Sequence, residues 1–346
     1  MFRTILFGTD GSATARIAEE VAANLARVSR GQLLIVSAYE GDPQAKASAE
    51  KAVEDARARA EQRGVDARTE AIEGEPAASV VEFADRADAE LIVVGDIGMG
   101  QERRLRLGGV PDRISHAAPC SVLIVRTSKL AGEPDPLQCT AGAYQSVLIA
   151  TDGSPTAAHA ARLGAELAAA LDAKITLAYV GDELMGRIIL KDTAEHLGDP
   201  QLPLRIASGE PGRTIARLAA ADRHDLVVVG NKGMTGAGRV LGSVPNTVSH
   251  AAGCDVLIVH TVGRSLADLR PGEGAIVEES GAKIAGYRDE AGQVVALSRK
   301  CKHLGCPVEW NPTLRTWDCP CHGSRYDAYG KVIQGPAQHD LDQLEI

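Results

Sequence analysis

Three stretches of this chain occur twice, in the same order. TDGS stands at 9–12 and again at 151–154, an offset of 142; GEP begins at 74 and at 209, an offset of 135; SHAAPCSVLIVRT from 115 matches SHAAGCDVLIVHT from 249, an offset of 134. Such spacing means that one structural unit is used twice. The falling offset locates the differences. Seven residues are lost before GEP in the second copy, and one more between LVVVG and SHAA.

Within each copy, short apolar runs alternate with longer Ala-rich amphipathic stretches. In the first copy these are TILFG, a helix from about 13 to 29, LLIVSAY, a helix from about 45 to 63, DARTEAI, a helix opening at Pro76, LIVVG, and VLIVR after one more helix. Strand alternating with helix predicts a parallel α/β sheet, and five strands per copy predict a doubly wound one. Pro76 and its counterpart Pro211 suit the first helical position, where a missing N–H costs nothing. The copies occupy 1–127 and 144–261, and Pro, Gly and polar content marks 128–143 and 262–273 as linkers. VLIVR and VLIVHT would be exposed apolar edges in a lone copy, so the copies are expected to pair there as an intramolecular pseudo-dimer. The last segment, 274–346, differs in character. It holds both tryptophans and five of the eleven aromatic residues, and its short runs AIVE, KIAGY and QVVALS are separated by turns, which predicts a small all-β domain.

In an open parallel sheet, ligands sit beyond the carboxyl ends of the strands, where helix N-termini present N–H groups to phosphate. Both copies place glycines there. The first has Gly95, Gly98 and Gly108 in a G-x2-G-x9-G spacing, and the second has Gly230, Gly233 and Gly242 followed by Ser243. Asp10 and Asp152 close the first strand of each copy, with Ser12 and Ser154 as candidate helix N-caps. Together, the TDGS strand end, the glycine loop and the HAA-x-C-x-VLIV ending resemble the universal stress protein family. That resemblance implies that Asp10, Gly95, Gly98 and Gly108, and Asp152, Gly230, Gly233, Gly242 and Ser243, bind ATP or a related adenine nucleotide. Each copy departs once from the family spacing. The first has Gly109 where a hydroxyl residue is expected, and the second has eight residues between Gly233 and Gly242 in place of nine. A lost hydroxyl removes one hydrogen bond, whereas a shortened loop shifts every donor, so the first copy is favoured. Arg103, Arg104 and Arg106 could assist a phosphate or simply lie in solvent.

Four of the seven cysteines and two of the nine histidines fall in two six-residue stretches, CKHLGC at 301–306 and CPCHGS at 319–324. Cys301-x-His303 and Cys319-x2-His322 offer two soft thiolates and two imidazoles, a donor set that suits zinc or an iron–sulfur cluster. With GPA at 335–337, these stretches closely resemble the Rieske family over about 274–346. The resemblance implies a [2Fe-2S] cluster with Cys301 and Cys319 on one iron and His303 and His322 on the other. It also implies a disulfide between Cys306 and Cys321 that ties the loops. Ser324 and Tyr326 would donate hydrogen bonds to cluster or ligand sulfur, while Leu304, next to a histidine ligand, could shield the cluster edge or equally be a turn residue. Cys120 and Cys254 read as small buried residues, Cys139 lies in a linker, and His116 and His250 read as helix surface or core.

Composition excludes further classes. A net charge of −9 and a pI near 5.5, with no basic block, argue against a nucleic-acid partner. The longest apolar runs, such as LIVV at 91–94, fall far short of the roughly 18 residues a membrane span requires. The N-terminus shows no secretory pattern, so a cytoplasmic protein is expected. No Walker lysine or evident base suggests ATP hydrolysis, and catalytic turnover of its own is not expected. Two functions fit: a nucleotide-binding stress protein that uses a Rieske cluster for electron transfer or redox sensing with a redox partner protein, or an electron-donor component of an oxygenase or other oxidoreductase system. Homo-oligomers are left open.

Overall fold

TILFG and LIVVG are strands along their whole length, because a parallel strand covered on both faces reads as an unbroken apolar run. The computed structural model describes residues 1–87, 89–96, 107–127, 144–231, 241–260, 266–279, 282–312 and 314–345. The first repeat runs β1 (Thr4–Gly8), α1 (Ala15–Ser29), β2 (Gln32–Tyr39), α2 (Pro43–Gln62), β3 (Ala67–Glu73), α3 (Pro76–Arg86), β4 (Leu91–Gly95), α4 (Gly109–Ala117) and β5 (Ser121–Val125). The second repeats it as β6 (Ser146–Ala150), α5 (Pro155–Ala170), β7 (Lys174–Val180), α6 (Glu183–His196), β8 (Leu204–Ala207), α7 (Pro211–Ala221), β9 (Leu226–Gly230), α8 (Ser243–Ala251) and β10 (Asp255–Val259). Pro76 and Pro211 open α3 and α7, and in each case the preceding glutamate caps the helix through its carboxylate. Ser154 is the N-cap of α5, as expected. Ser12 Oγ accepts from the Ala15 N–H, but regular helix begins only after Thr14.

The two repeats share one sheet. Met1–Thr261 is one compact unit with a single ten-stranded sheet in the order β3-β2-β1-β4-β5-β10-β9-β6-β7-β8. Each half is parallel, and the halves meet where β5 and β10 pair antiparallel, with Leu123 opposite Leu257. These leucines are repeat equivalents, so the local two-fold axis passes between them. The seam is closed by groups from both copies. Asp255 Oδ1 accepts from the Arg126 backbone N–H at 2.8 Å, and Ser121 Oγ accepts from the His260 N–H at 3.1 Å. The Tyr144 hydroxyl donates to Asp255 Oδ2 at 2.6 Å. His116 and His250 differ from the reading above. They sit on this seam, His116 Nε2 at 3.3 Å from Asn246 Oδ1 and His250 Nε2 at 3.4 Å from Asp112 Oδ1, because the axis brings α4 and α8 together. Cys120 is buried as expected and Cys254 is partly buried, and burial pushes each thiol up to about 12, which makes it unreactive.

The second unit, Val262–Ile346, holds two antiparallel sheets. One is β11 (Glu273–Glu279), β12 (Ala282–Arg288) and β13 (Val294–Leu297); the other is β14 (Glu309–Asn311), β15 (Thr316–Asp318), β16 (Arg325–Asp327) and β17 (Val332–Gln334). The linker reading of 262–273 needs correction where the structure describes it. Leu266 and Leu269, on either side of the short 3-10 turn Leu266–Asp268, are buried against Val277, Ile284 and Ala296. Two leucines three residues apart suffice to pack a turn onto a small sheet. The linker 128–143, with Cys139, lies outside the described residues.

Candidate functional site

The strand order reverses direction between β1 and β4, and that is where a doubly wound sheet opens a crevice at its carboxyl edge. A cavity of about 360 Å³ lies there in the first repeat, lined by Thr9, Asp10, Gly95, Gly108 and Gly109 among others. Asp10 Oδ1 accepts from the Ser12 N–H at 2.9 Å, which folds the TDGS turn back on itself, and Gly11 at φ +75° supplies the left-handed residue this turn requires. Gly108 is the N-cap of α4, so the free N–H groups of that helix start beside the cavity. The second repeat builds the same turn, with Asp152 accepting from Ser154 and Gly153 at φ +79°. Gly230 ends β9, Gly242 caps α8 and Ser243 opens it. Asp10 is half-buried while Asp152 is exposed. Gly98, Gly233, Arg103, Arg104 and Arg106 lie outside the described residues. Ala38 and Pro76 also line the first crevice and were not among the residues expected to bind there, although the switch-point rule points to the ends of neighbouring strands.

In the second unit, CKHLGC and CPCHGS fold into the same loop. The Cys301 N–H donates to the Cys306 carbonyl at 2.8 Å and the Gly305 N–H to the Cys301 carbonyl at 2.9 Å. The Cys319 N–H donates to the Ser324 carbonyl at 2.7 Å and the Gly323 N–H to the Cys319 carbonyl at 3.0 Å. Gly305 and Gly323 both have φ +74°, so the fifth residue of each loop must be glycine-like. This construction buries Cys301 and Cys319 and leaves His303 and His322 exposed, their rings 4.9 Å apart and nearly perpendicular. The second loop is braced at its base. Asp318 takes two hydrogen bonds from Arg325, its register partner on β16, and further ones from Asn311 and Thr316; the Arg325 contact holds its carboxyl below the usual range.

Hydroxyl groups converge on the buried sulfurs. The Tyr326 oxygen lies 3.1 Å from Cys301 Sγ and accepts from the Lys302 N–H at 3.0 Å, so its own proton is left for the sulfur. Ser324 Oγ, fully buried, accepts from the Ala337 N–H of the GPA turn at 3.0 Å, which likewise frees its proton. Burial pushes the Cys301 thiol up, but hydrogen bonds from Tyr326, the His303 backbone and Ser324 outweigh it and bring the thiol below its ordinary value. Burial raises Cys319. Cys306 and Cys321 are free thiols in the structure, and their sulfurs and that of Cys319 lie within 4.8 Å of one another. Two buried thiols, two solvent-facing imidazoles and hydroxyl donors behind the sulfurs fit a cluster with one all-sulfur iron and one imidazole-ligated iron better than a closed tetrahedral zinc site.

Residues 1–126, 143–189 and 182–260 match the Universal stress protein family. The chain belongs to that family. Residues 261–345 match the Rieske [2Fe-2S] domain, so the universal stress protein repeats are followed by a Rieske domain. A universal stress protein from Archaeoglobus fulgidus DSM 4304 superposes on 75% of this chain and 98% of its own length with TM-score 0.59 at 16% identity, a likeness of fold. Over the Rieske domain, a putative Rieske 2Fe-2S iron–sulfur protein of Bacillus subtilis (strain 168) is 47% identical across 79 residues, which are 23% of this chain and 16% of that protein. The cytochrome b6-f complex iron–sulfur subunit of Microcystis aeruginosa (strain NIES-843 / IAM M-2473) is 34% identical over 138 residues, 37% of this chain and 69% of that protein. This chain therefore spans only a small part of the Bacillus relative. No helix among the described residues is long and apolar enough to cross a membrane.

Proposed function

We propose that this protein carries a Rieske [2Fe-2S] cluster on Cys301, Cys319, His303 and His322, attached to a nucleotide-binding stress module, and uses it for single-electron transfer or redox sensing. When bound, the cluster supplies one reversible electron-storage step. The chain's own residues do the rest. Cys301 and Cys319 hold one iron away from water, while His303 and His322 place the other at the surface, where a redox partner protein can approach. The Tyr326 and Ser324 hydroxyls donate toward sulfur, which favours the more negative, reduced state and raises the potential. Cys306 and Cys321 lie close enough to close a disulfide that ties the loops; with the loops held by iron, local proximity can outweigh a reducing cytoplasm, the compartment inferred for this chain. The first-repeat crevice takes ATP or a related adenine nucleotide, its phosphates at the start of α4 and Asp10 at its wall. The observation that carries the reading is the matched pair of loops with buried thiols and exposed imidazoles. The test is the visible spectrum, iron and sulfide content, and low-temperature EPR of anaerobically purified protein. A Rieske-type signal with two irons per chain is expected; bound zinc with no signal would overturn it.

A further inference from the structure

The Rieske domain contains five aromatic residues, Tyr287, Trp310, Trp317, Tyr326 and Tyr329, and none is phenylalanine. All three phenylalanines of the chain lie in the α/β unit. Four of the rings form one connected run, and Tyr326 adjoins it across a pair of strands. Tyr326, whose hydroxyl touches Cys301 Sγ, is the register partner of Trp317 on the neighbouring strand, and both are fully buried in the same core. Trp317 lies 4.9 Å from Trp310, Trp310 lies 5.5 Å from Tyr287, and Tyr287 lies 5.5 Å from Tyr329, centroid to centroid. These three ring pairs are within the range of direct ring contact, and Tyr326 and Trp317 face the same core as cross-strand partners. The run ends in water, since Tyr329 is 51% exposed. Burial and hydrogen bonds, of Trp317 to the Ala328 carbonyl and of Tyr326 to Cys301, account for those two rings, but neither accounts for an exposed tyrosine at the end of the stack.

We propose that these rings form an oxidation relay that draws oxidising equivalents away from Cys301 and delivers them to the surface at Tyr329. The proposal rests on the reading of Cys301 as a cluster ligand. A radical-type one-electron oxidant takes one electron from Cys301 Sγ and is itself reduced. Tyr326 returns an electron to the sulfur, and Trp317, Trp310, Tyr287 and Tyr329 each refill the ring before them. The net change is the loss of one electron to the oxidant and one phenolic proton to water, both from Tyr329, which is left as a phenoxyl radical. A thiol in solution restores it by giving up a hydrogen atom. The ligand sulfur regains its electron before it can proceed to a sulfenic acid.

The test uses the full-length, cluster-loaded protein and a limiting dose of oxidant generated by flash photolysis of ruthenium tris-bipyridine with persulfate. Peptide mass spectrometry then compares oxidation of Tyr329 with that of Tyr39 and Tyr179 in the α/β unit, which serve as references. Trp310→Phe keeps a ring in place but interrupts the relay, and Tyr287→Phe does so one step further on. In both variants, oxidation of Tyr329 relative to Tyr39 is expected to fall at least threefold, and the EPR signal of the cluster to decay faster under oxidant. Unchanged Tyr329 oxidation in both variants, with the initial EPR signal intact, would show direct attack from solution and overturn the relay. Absence of a Rieske signal in the untreated wild type would instead overturn the cluster reading.

Discussion

The crevice of the α/β unit and the metal loops of the β unit are made of different material. The crevice offers a ligand main chain and apolar side chains: strand ends, four glycines, the first turn of α4, and residues such as Val36, Val80 and Ile114, with Asp10 the one charged side chain singled out at its wall. The metal site is built from side-chain donors, each with a fixed chemical identity, held by loops whose own hydrogen bonds are main chain. A site of the first kind tolerates substitution wherever the backbone keeps its path. A site of the second kind fails when a single donor is lost. The two units should therefore respond differently to single changes.

The largest effect is expected at the metal loops. His322→Ala removes a ligand and should reduce iron content and EPR amplitude at least tenfold, while nucleotide binding by the α/β unit stays as in the wild type; equal loss of both would show that the units are not independent. Next comes the seam between the repeats. Tyr144→Phe leaves Asp255 Oδ2 without its donor and should cost about 1–3 kcal/mol in chemical denaturation, the range for an orphaned buried acceptor. A change within a few tenths would mean that water replaces the hydroxyl. At the crevice, Gly109→Asp separates main-chain geometry from charge. A Cβ at Gly109 meets nothing within 4 Å, and an acidic residue favours a helix start, so stability should hold. ATP affinity, read by equilibrium dialysis, should fall about tenfold through repulsion of phosphate; unchanged affinity would move the nucleotide to the second repeat.

A smaller effect concerns pH. Burial pushes the Asp255 carboxyl up to about 6 from an ordinary 3.8. Within that window the folded chain holds a proton that the unfolded chain has released, so the wild type should lose stability as pH rises from about 4 to about 6. Asp255→Asn should flatten that part of the profile, and an identical slope in the variant would assign it to another group. Smallest of all, Cys306→Ser should allow the cluster to assemble but shorten its lifetime in air. A lifetime equal to that of the wild type would show that the Cys306–Cys321 pair has no tying role.

The sequence was most informative where one local pattern decides the outcome. LIVVG and its counterpart LVVVG are strands because a short, β-branched apolar run that ends at a glycine suits a strand covered on both faces and is too short for a buried helix. The two loops were recognisable because a cysteine, a histidine and a glycine fall at close, fixed spacing in each. Pairing of VLIVR with VLIVHT followed from the liability of an open apolar edge, and β5 and β10 meet as that argument requires. What escaped was polar and distant. Tyr144 and Asp255 are 111 residues apart, and Arg126 and Asp255 are 129 apart, and no local signal announces such partners. His116 and His250, read as helix surface or core, are half-buried on their helices, and the neighbour that the symmetry axis brings to each from the other copy has no local signal. Leu266 and Leu269 were hidden in a polar stretch, where two apolar residues are too few to show a period.

Covalent continuity across the β5–β10 seam changes how that contact responds to dilution. Two separate copies of such a repeat would associate by mass action, and their pairing would weaken as the protein became scarce. With both copies on one chain the encounter is unimolecular, and each half sees its partner at an effective concentration set by the intervening segment, not by expression level. The seam should thus persist at any abundance of the protein. Freed from the need to fit an identical copy, each side of it could also diverge: Asp255 stands where the first copy has Ser121, and Asn246 where it has Asp112.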